Sequence, residues 1–382
     1  MSTNRQVPIA TLFVLAALGA APAGASDMQG TLSVIGAERS TGAMGVAVVS
    51  HAPACGAEVP WVQAGMGAVA TQGDVNADWG PAALALLRDG MEPQALCDTL
   101  YKRDPSYLRR QIGVLDRRGR PGGYTGLELT SFSGGVIDTM VAVQGNALAR
   151  GDVLLAVHDS FVVWNDVPLP ERLLASLRVG AAAASRPLRS AALLVGRVDP
   201  ERPAAASRWI YLRVDDHPDP LAELARLYRV HAASRLVESH LHFAELGTRS
   251  GRADFAGSER ARAEALVQAA LADSILPPTA LNAMAWGMAQ HGAWLDRAEI
   301  AARRAQAGEP ANPEYLDTLA ELRARQGDRP GALVEAKRAF ALAPRDDYFR
   351  ERVLAFGGTA ADATPPDNVH PNQKARAAKL KK

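Results

Sequence analysis

Two short runs near the start of the chain, Thr31–Ala37 and Ala43–Val49, carry small or apolar residues on both faces that a strand presents. Leu32, Val34 and Ile35 do so in the first, and Val46, Ala47, Val48 and Val49 in the second. A strand with one wet face alternates apolar with polar residues, so strands that do not alternate are expected to be covered on both sides. Glu38, Arg39, Ser40, Thr41 and Gly42 supply turn chemistry between them, and the pair reads as a β-hairpin. A hairpin buried on both faces restricts the chain to layered α+β folds.

Centring the turn on Ser40 sets Thr31 opposite Val49 and Ser33 opposite Ala47. Thr31, Ser50 and His51 then gather at the open end of the hairpin. A third strand, expected over Met66–Thr71, brings Thr71 and Gln72 toward the same end. Hydroxyl, imidazole and amide groups collected beside a buried sheet make a candidate site. The same residues also suit a plain strand former, a strand terminator and a loop histidine.

Downstream, Trp79-Gly80-Pro81 and Glu92-Pro93 each open a helix, with proline at the first turn. Tyr107–Leu115 and Gly122–Tyr124 flank the turn Asp116–Arg120 as another hairpin, and Val136–Val143 reads as a strand ending in a turn-like Gln144-Gly145-Asn146. Helices are expected over Asp152–Val163 and Glu171–Ala184, then strands over Ser190–Val195 and Trp209–Val214. Asp215-Asp216-His217-Pro218-Asp219 holds carboxylates and an imidazole close enough for a divalent cation. It reads better as a turn into the helix Leu221–Leu241, with Asp219 as N-cap and Pro220 following. Neither a metal nor a cofactor is expected.

Six stretches in order bear on the family: Thr31–Gln72, WGPAALALLRDG, RQIGVLDRRGRPGGYTG, VQGNALA, RSAALLV and LRVDDHPDPLAEL. Over residues 31–228 the chain resembles the DUF1028 family, whose function is uncharacterised. The resemblance implies an Ntn-hydrolase-like fold, a four-layer αββα sandwich. In Ntn enzymes the first residue of the mature chain is the nucleophile and its own α-amine the base. Carried over by position at the head of the first strand, Thr31 is the candidate nucleophile, with Ser50, His51 and Asn146 as further catalytic candidates. Thr71, Gln72 and Gln144 are the candidate substrate-binding side chains. Backbone N–H groups near Gly65 or Gly67, with the Asn146 side chain, are candidates for an oxyanion pocket. Gly30 before Thr31 suits a bend for self-cleavage.

Basic and acidic residues nearly balance, 42 against 41, which argues against a dedicated nucleic-acid binder. Arg5, the apolar run Val7–Ala21 and Ala23-Gly24-Ala25 before Ser26 read as a signal peptide over residues 1–25, placing the protein in the periplasm or outside the cell. No further membrane-spanning segment is expected. Signal cleavage leaves Ser26–Gly30 attached, so an N-terminal Thr31 requires a second cut. An oxidising compartment permits a Cys55–Cys97 disulfide, although the spacing equally suits two buried thiols.

Residues 26–220 form the expected sandwich domain, and residues 221–356 an all-α one. Helices Leu221–Gly247 and Ser258–Ala272 precede two helical hairpins, Thr279–Ala307 and Pro313–Leu342. Ala298 and Ala332, Arg304 and Arg338, and Pro310 and Pro344 each stand 34 apart, and Leu316–Pro344 resembles a tetratricopeptide repeat. Such repeats imply a peptide or protein partner. Residues 357–382 read as a disordered basic tail. Two functions follow from these features: an exported amide hydrolase of Ntn type, or a non-catalytic envelope adapter docking a partner on its repeats.

Overall fold

The structure, a computed structural model, describes residues 30–129, 132–148, 150–182, 187–202 and 208–365. The signal-peptide reading, Ser26 and the tail beyond Pro365 lie outside the described residues. The chain parts into two compact units between Tyr228 and Arg229.

The first unit contains β1 (Thr31–Glu38), β2 (Ala43–Ser50), β3 (Pro60–Gln63), β4 (Gly67–Gly73), α1 (Trp79–Arg88), α2 (Pro93–Arg103), β5 (Arg110–Asp116) and β6 (Pro121–Thr125). β7 (Phe132–Asp138), β8 (Val141–Leu148), α3 (Asp152–Val163), α4 (Leu169–Ala181), β9 (Ser190–Gly196), β10 (Arg208–Val214) and the first turns of α5 (Pro220–His231) complete it. Six strands form one antiparallel sheet in the order β10-β9-β2-β1-β8-β7, and four form another in the order β3-β4-β5-β6.

The sheets stack face to face on Ile35, Met44, Val46, Val48, Ala68, Ala70, Leu115, Ala142 and Ala192, all buried. α1 and α2 cover the outer face of the smaller sheet through Leu84, Leu87, Leu96 and Leu100 against Val69, Ile112 and Val114. α3 and α4 pack on the outer face of the larger one. Each fully buried Val, Leu or Ile in these layers contributes about 1.5–3 kcal/mol. That two-sided cover is why β1 and β2 do not alternate.

Three local expectations are corrected. The β1–β2 loop is Arg39–Gly42, with Gly42 at φ +71° and its N–H donating to Glu38 O at 2.9 Å. The pairing therefore moves by one residue, and Thr31 faces Ser50 while Ser33 faces Val48. Gln144-Gly145-Asn146 is no turn: it lies within β8, a central strand that pairs Asn146 with Thr31 and Gln144 with Ser33. The strand expected over Val136–Val143 is in fact two, β7 and β8, joined at Thr139-Met140 with Met140 at φ +74°. Cys55 and Cys97 are free and buried, the first in the inter-sheet core and the second on the buried face of α2 against the outer side of the smaller sheet, so they belong to different layers.

In the second unit the helix expected as continuous to Gly247 is interrupted by a π-helical turn, Ala232–Leu236, before α6 (Val237–Arg249). α7 (Ala253–Ala272), α8 (Pro278–Gln290), α9 (Leu295–Gly308), α10 (Pro313–Arg325), α11 (Arg329–Leu342) and α12 (Asp347–Ala355) follow. α6 pairs with α7, α8 with α9 and α10 with α11. Ala298, Ala301, Ala302 and Ala305, then Ala332, Ala336 and Ala339, are buried, so small side chains let the helices approach closely. The expected tail begins too early. Thr359–Thr364 forms turns closed by Asp362, which pairs with Lys337 at 2.7 Å, and Ala363 is buried.

Candidate functional site

The inner face of the stack changes character along its length. At the β1–β2 turn end it is apolar; toward the other end polar residues and a glycine replace most apolar ones, although Val48 opposite Ser33 and Ala70 opposite Gly113 still belong to the apolar cluster. β1 contributes Thr31 and Ser33, β2 Ser50, β8 Gln144 and Asn146, β4 Gln72, and β5 Gln111 and Gly113. Period-two alternation puts these residues on one face of each strand. Ser33, Ser50, Gln72 and Gln111 are at most 1% exposed, whereas Thr31 and His51 are only partly covered.

Thr31 heads the central strand. Its Oγ1 lies 2.9 Å from Ser50 Oγ, which also accepts the Ala52 N–H at 3.1 Å. Its backbone N–H donates to Asn146 Oδ1 at 3.5 Å, and its carbonyl accepts from Gln72 Nε2 at 3.2 Å. His51 Nδ1 donates to the carbonyl oxygen of Gly30 at 3.3 Å. Behind Thr31 the amides interlock. Ser33 Oγ donates to Gln72 Oε1 at 2.6 Å, and Gln111 Oε1 accepts from Gln72 Nε2 at 2.9 Å and from Asn146 Nδ2 at 3.2 Å. Gln111 Nε2 donates to Thr125 Oγ1 and to the carbonyls of Gly134 and Gly145, each at 3.0 Å. Because Gln111 takes the Asn146 amide nitrogen, Asn146 must turn its oxygen toward Thr31.

β8 is bent where this happens. The β7–β8 register shifts between Phe132 and Gly134, and Ala147, next to Asn146, has φ +52°. Such a bulge re-aims a side chain at a cost in local strain. Gln144 Oε1 is buried without a hydrogen-bond partner among the described residues and lies against Gly113, where a Cβ would come within 2.0 Å of it.

The structure thus brings together Thr31, Ser50, Gln72, Gln144 and Asn146, with His51 one residue away on the Gly30 carbonyl. It does not bring Thr71. Consecutive strand residues face opposite ways, so with Gln72 inward Thr71 points outward, donating to Glu58 O at 2.7 Å and accepting from Trp61 Nε1. Gly65 and Gly67 sit at the β3–β4 turn, the far end of β4 from Gln72, and supply no oxyanion donors to Thr31. Ser33 and Gln111 were not anticipated. For Gln111 the signal was the inward alternation Gln111, Gly113, Leu115 on β5.

No charged side chain hydrogen-bonds Thr31 Oγ1 among the described residues. The nearby charges are paired with one another: Arg110 Nε donates to Asp104 at 3.0 Å and its guanidinium also meets Asp74. Burial pushes the Asp104 carboxyl up, but hydrogen bonds from Asn76, the Ser106 amide and Arg110 outweigh it and hold the group below the ordinary carboxylate range. In the Asp215–Asp219 segment Arg213 takes Asp215, Arg189 takes Asp216, and Asp219 caps α5 through the Ala222 N–H at 3.0 Å. Among the described residues no group of three or more His, Cys, Asp and Glu side chains is placed to hold a metal ion.

The site is therefore a hydrogen-bonded end of the inter-sheet layer built from hydroxyl and amide side chains, at which Thr31 is partly exposed. The DUF1028 family model, described as a family of unknown function, matches residues 31–224, just over half of the chain. A crystal structure of a protein from Silicibacter pomeroyi, itself described as DUF1028, is 32% identical; the match covers 53% of this chain and 88% of that one, with a TM-score of 0.48. Among curated proteins nothing matches. On the extent of the family match, this chain belongs to the DUF1028 family.

Proposed function

We propose that the first unit is an Ntn-type amide-bond hydrolase of the periplasm or cell exterior, acting through Thr31 once the peptide bond before it has been cut. One observation carries the reading. The two atoms that an N-terminal nucleophile uses, Thr31 N and Oγ1, are each held by an uncharged side chain, Asn146 and Ser50, and no other side chain hydrogen-bonds Oγ1 among the described residues.

In this reading the freed α-amine accepts the Oγ1 proton as Oγ1 adds to the substrate's carbonyl carbon. The amine then returns that proton to the leaving nitrogen, and water hydrolyses the resulting ester. Asn146 Oδ1 anchors the amine by accepting one of its N–H groups, and Ser50 fixes the Thr31 rotamer. A base so placed contributes typically 10²–10⁴-fold. A chain beginning at Thr31 and one retaining Gly30 are to be assayed on amide substrates such as acyl-p-nitroanilides. Activity is expected only in the first, retained in Thr31→Ser and lost by at least ~10³-fold in Thr31→Ala. Equal activity in the chain that keeps Gly30, or in Thr31→Ala, refutes the reading.

A second reading, partner docking by tetratricopeptide-like helices, has its own support. Ile300 on α9 and Val334 on α11 stand one repeat apart and are 53% and 55% exposed, large apolar side chains at equivalent positions. Loss of a co-purifying envelope protein in Ile300→Asp/Val334→Asp supports it; unchanged co-purification counts against it.

A further inference from the structure

Four strands stand at the edges of the two sheets, and three of them are guarded. β10 carries Arg208 and Arg213, while β3 and β6 are only four and five residues long and open on Pro60 and Pro121. Charge, proline and shortness keep an open edge from pairing with another chain. β7 is seven residues long and has no proline, lysine or arginine, only Asp138 at its end. Its pairing with β8 shifts between Phe132 and Gly134 and then runs evenly over residues 134–138. Among the described residues no strand pairs with its outer edge, and Phe132 and Ile137 are nearly half exposed. α3 lies over this same edge, packed on β7 and β8, whereas α4 covers β1 and β2. Eight of the twelve α3 residues are apolar, and Val153, Leu154, Val157 and Phe161 account for its buried face. Leu155, Val162 and Val163, seven and eight residues along, form a second apolar stripe that is 47–73% exposed. A helix apolar all round is ordinarily a covered one. The carboxylates of this flank, Asp138 and Asp159, both face His158, at 3.9 and 3.0 Å.

We propose that this flank is where two copies of the chain meet, β7 pairing antiparallel with β7 of the other copy and the two α3 stripes packing across the same twofold axis. The joint exposure of strand and helix selects a second copy as the occupant. An extended peptide would pair with β7 but leave the α3 stripe wet. A helix would cover α3 but leave the backbone groups of the strand unpaired. The flank needs an open strand with an apolar helix lying over it, and the flank itself has that form. A twofold contact sets the same patch on both sides, so a patch that complements itself is enough. The two six-stranded sheets then become one continuous sheet, and neither keeps a bare edge at β7. None of this depends on the chemistry of Thr31.

The test is sedimentation equilibrium of the full chain over a dilution series, with amide hydrogen exchange followed at the same concentrations. The wild type is expected to be a dimer whose β7 amides exchange more slowly as concentration rises. Leu155→Lys/Val163→Lys on the helix and Ile137→Lys on the strand should each raise the dissociation constant by at least ~10²-fold, the effect of shutting an unpaired charge into an apolar contact. Circular dichroism verifies that each variant folds, and the exchange measurement needs no variant at all. A wild-type chain that stays monomeric throughout the series overturns the proposal, as does a dimer that persists undiminished in either variant. Slow exchange over β7 that does not change with dilution overturns it too, because the edge is then covered from within the same chain.

Discussion

Gln111 is the side chain on which the polar layer turns, and Gln111→Leu tests that layer. The substitution keeps the volume but removes both ends of the amide. Gln72 Nε2 loses one acceptor and keeps the carbonyls of Thr31 and Gln144. Asn146 Nδ2 has no other hydrogen bond among the described residues, so it becomes a buried donor without a partner. Thr125 and the carbonyls of Gly134 and Gly145 each lose a donor. One orphaned amide costs about 1–3 kcal/mol, and each lost neutral bond about 0.5–1.5 kcal/mol. With one orphaned amide and four further lost bonds the total is about 3–9 kcal/mol, against a typical domain stability of about 5–15 kcal/mol. At about 2–4 °C per kcal/mol for a unit of this size, the melting temperature should fall by roughly 6–36 °C. Urea unfolding and calorimetry measure the loss directly. With Asn146 free to flip, the hydrolysis proposed for Thr31 should slow as well. A loss under about 1 kcal/mol would show that Gln111 does not organise the layer.

Gly113→Ala puts a Cβ against the Gln144 amide, itself buried, and should cost about 1–3 kcal/mol by urea unfolding. Burial pushes the Cys55 thiol up to about 11 and the Cys97 thiol to about 12. Both should resist iodoacetamide at pH 8 while the protein is folded. The unfolded chain releases these protons near about pH 8.5. The stability they contribute is therefore complete below that pH and is lost as pH rises toward 11, read as a falling urea midpoint. In the helical unit, Asp317 on α10 accepts from Tyr348 Oη at 2.7 Å and Arg352 Nε at 2.6 Å on α12. Burial first, and Asp317 next, push the Tyr348 phenol up to about 12. Asp317→Ala should bring it back toward the ordinary tyrosine value in an ultraviolet pH titration and cost about 3 kcal/mol.

Much of the architecture is written in short-range pattern. The unalternating runs of β1 and β2, the prolines at the starts of α1 and α2, the Asp219 cap and the 34-residue spacing of alanines each depend on residues within a turn, a strand or a repeat. The hairpin pattern likewise set Thr31 and Ser50 at one end of the sheet, whereas Asn146 was a candidate only through the fold that the family resemblance implies. The errors fall where local signals are silent. Thr139-Met140 closes the β7–β8 turn without a glycine or asparagine at its left-handed position, so two strands read as one and Asn146 was assigned to a loop. One residue in the length of the Arg39–Gly42 turn decided whether Thr31 faced Val49 or Ser50.

The chain's sequence by itself settled that two doubly buried strands open a layered α+β unit and that paired helices follow it, because strand alternation, capping and repeat spacing act over a few residues. Only the tertiary structure decided which polar groups meet. Thr31 and Asn146 are 115 residues apart, and Gln72 and Gln111 are 39 apart. They touch because one sheet pairs its strands in a given order and a second sheet stacks on it at one register. Inter-strand pairing and inter-sheet stacking are long-range contacts that no local spacing encodes.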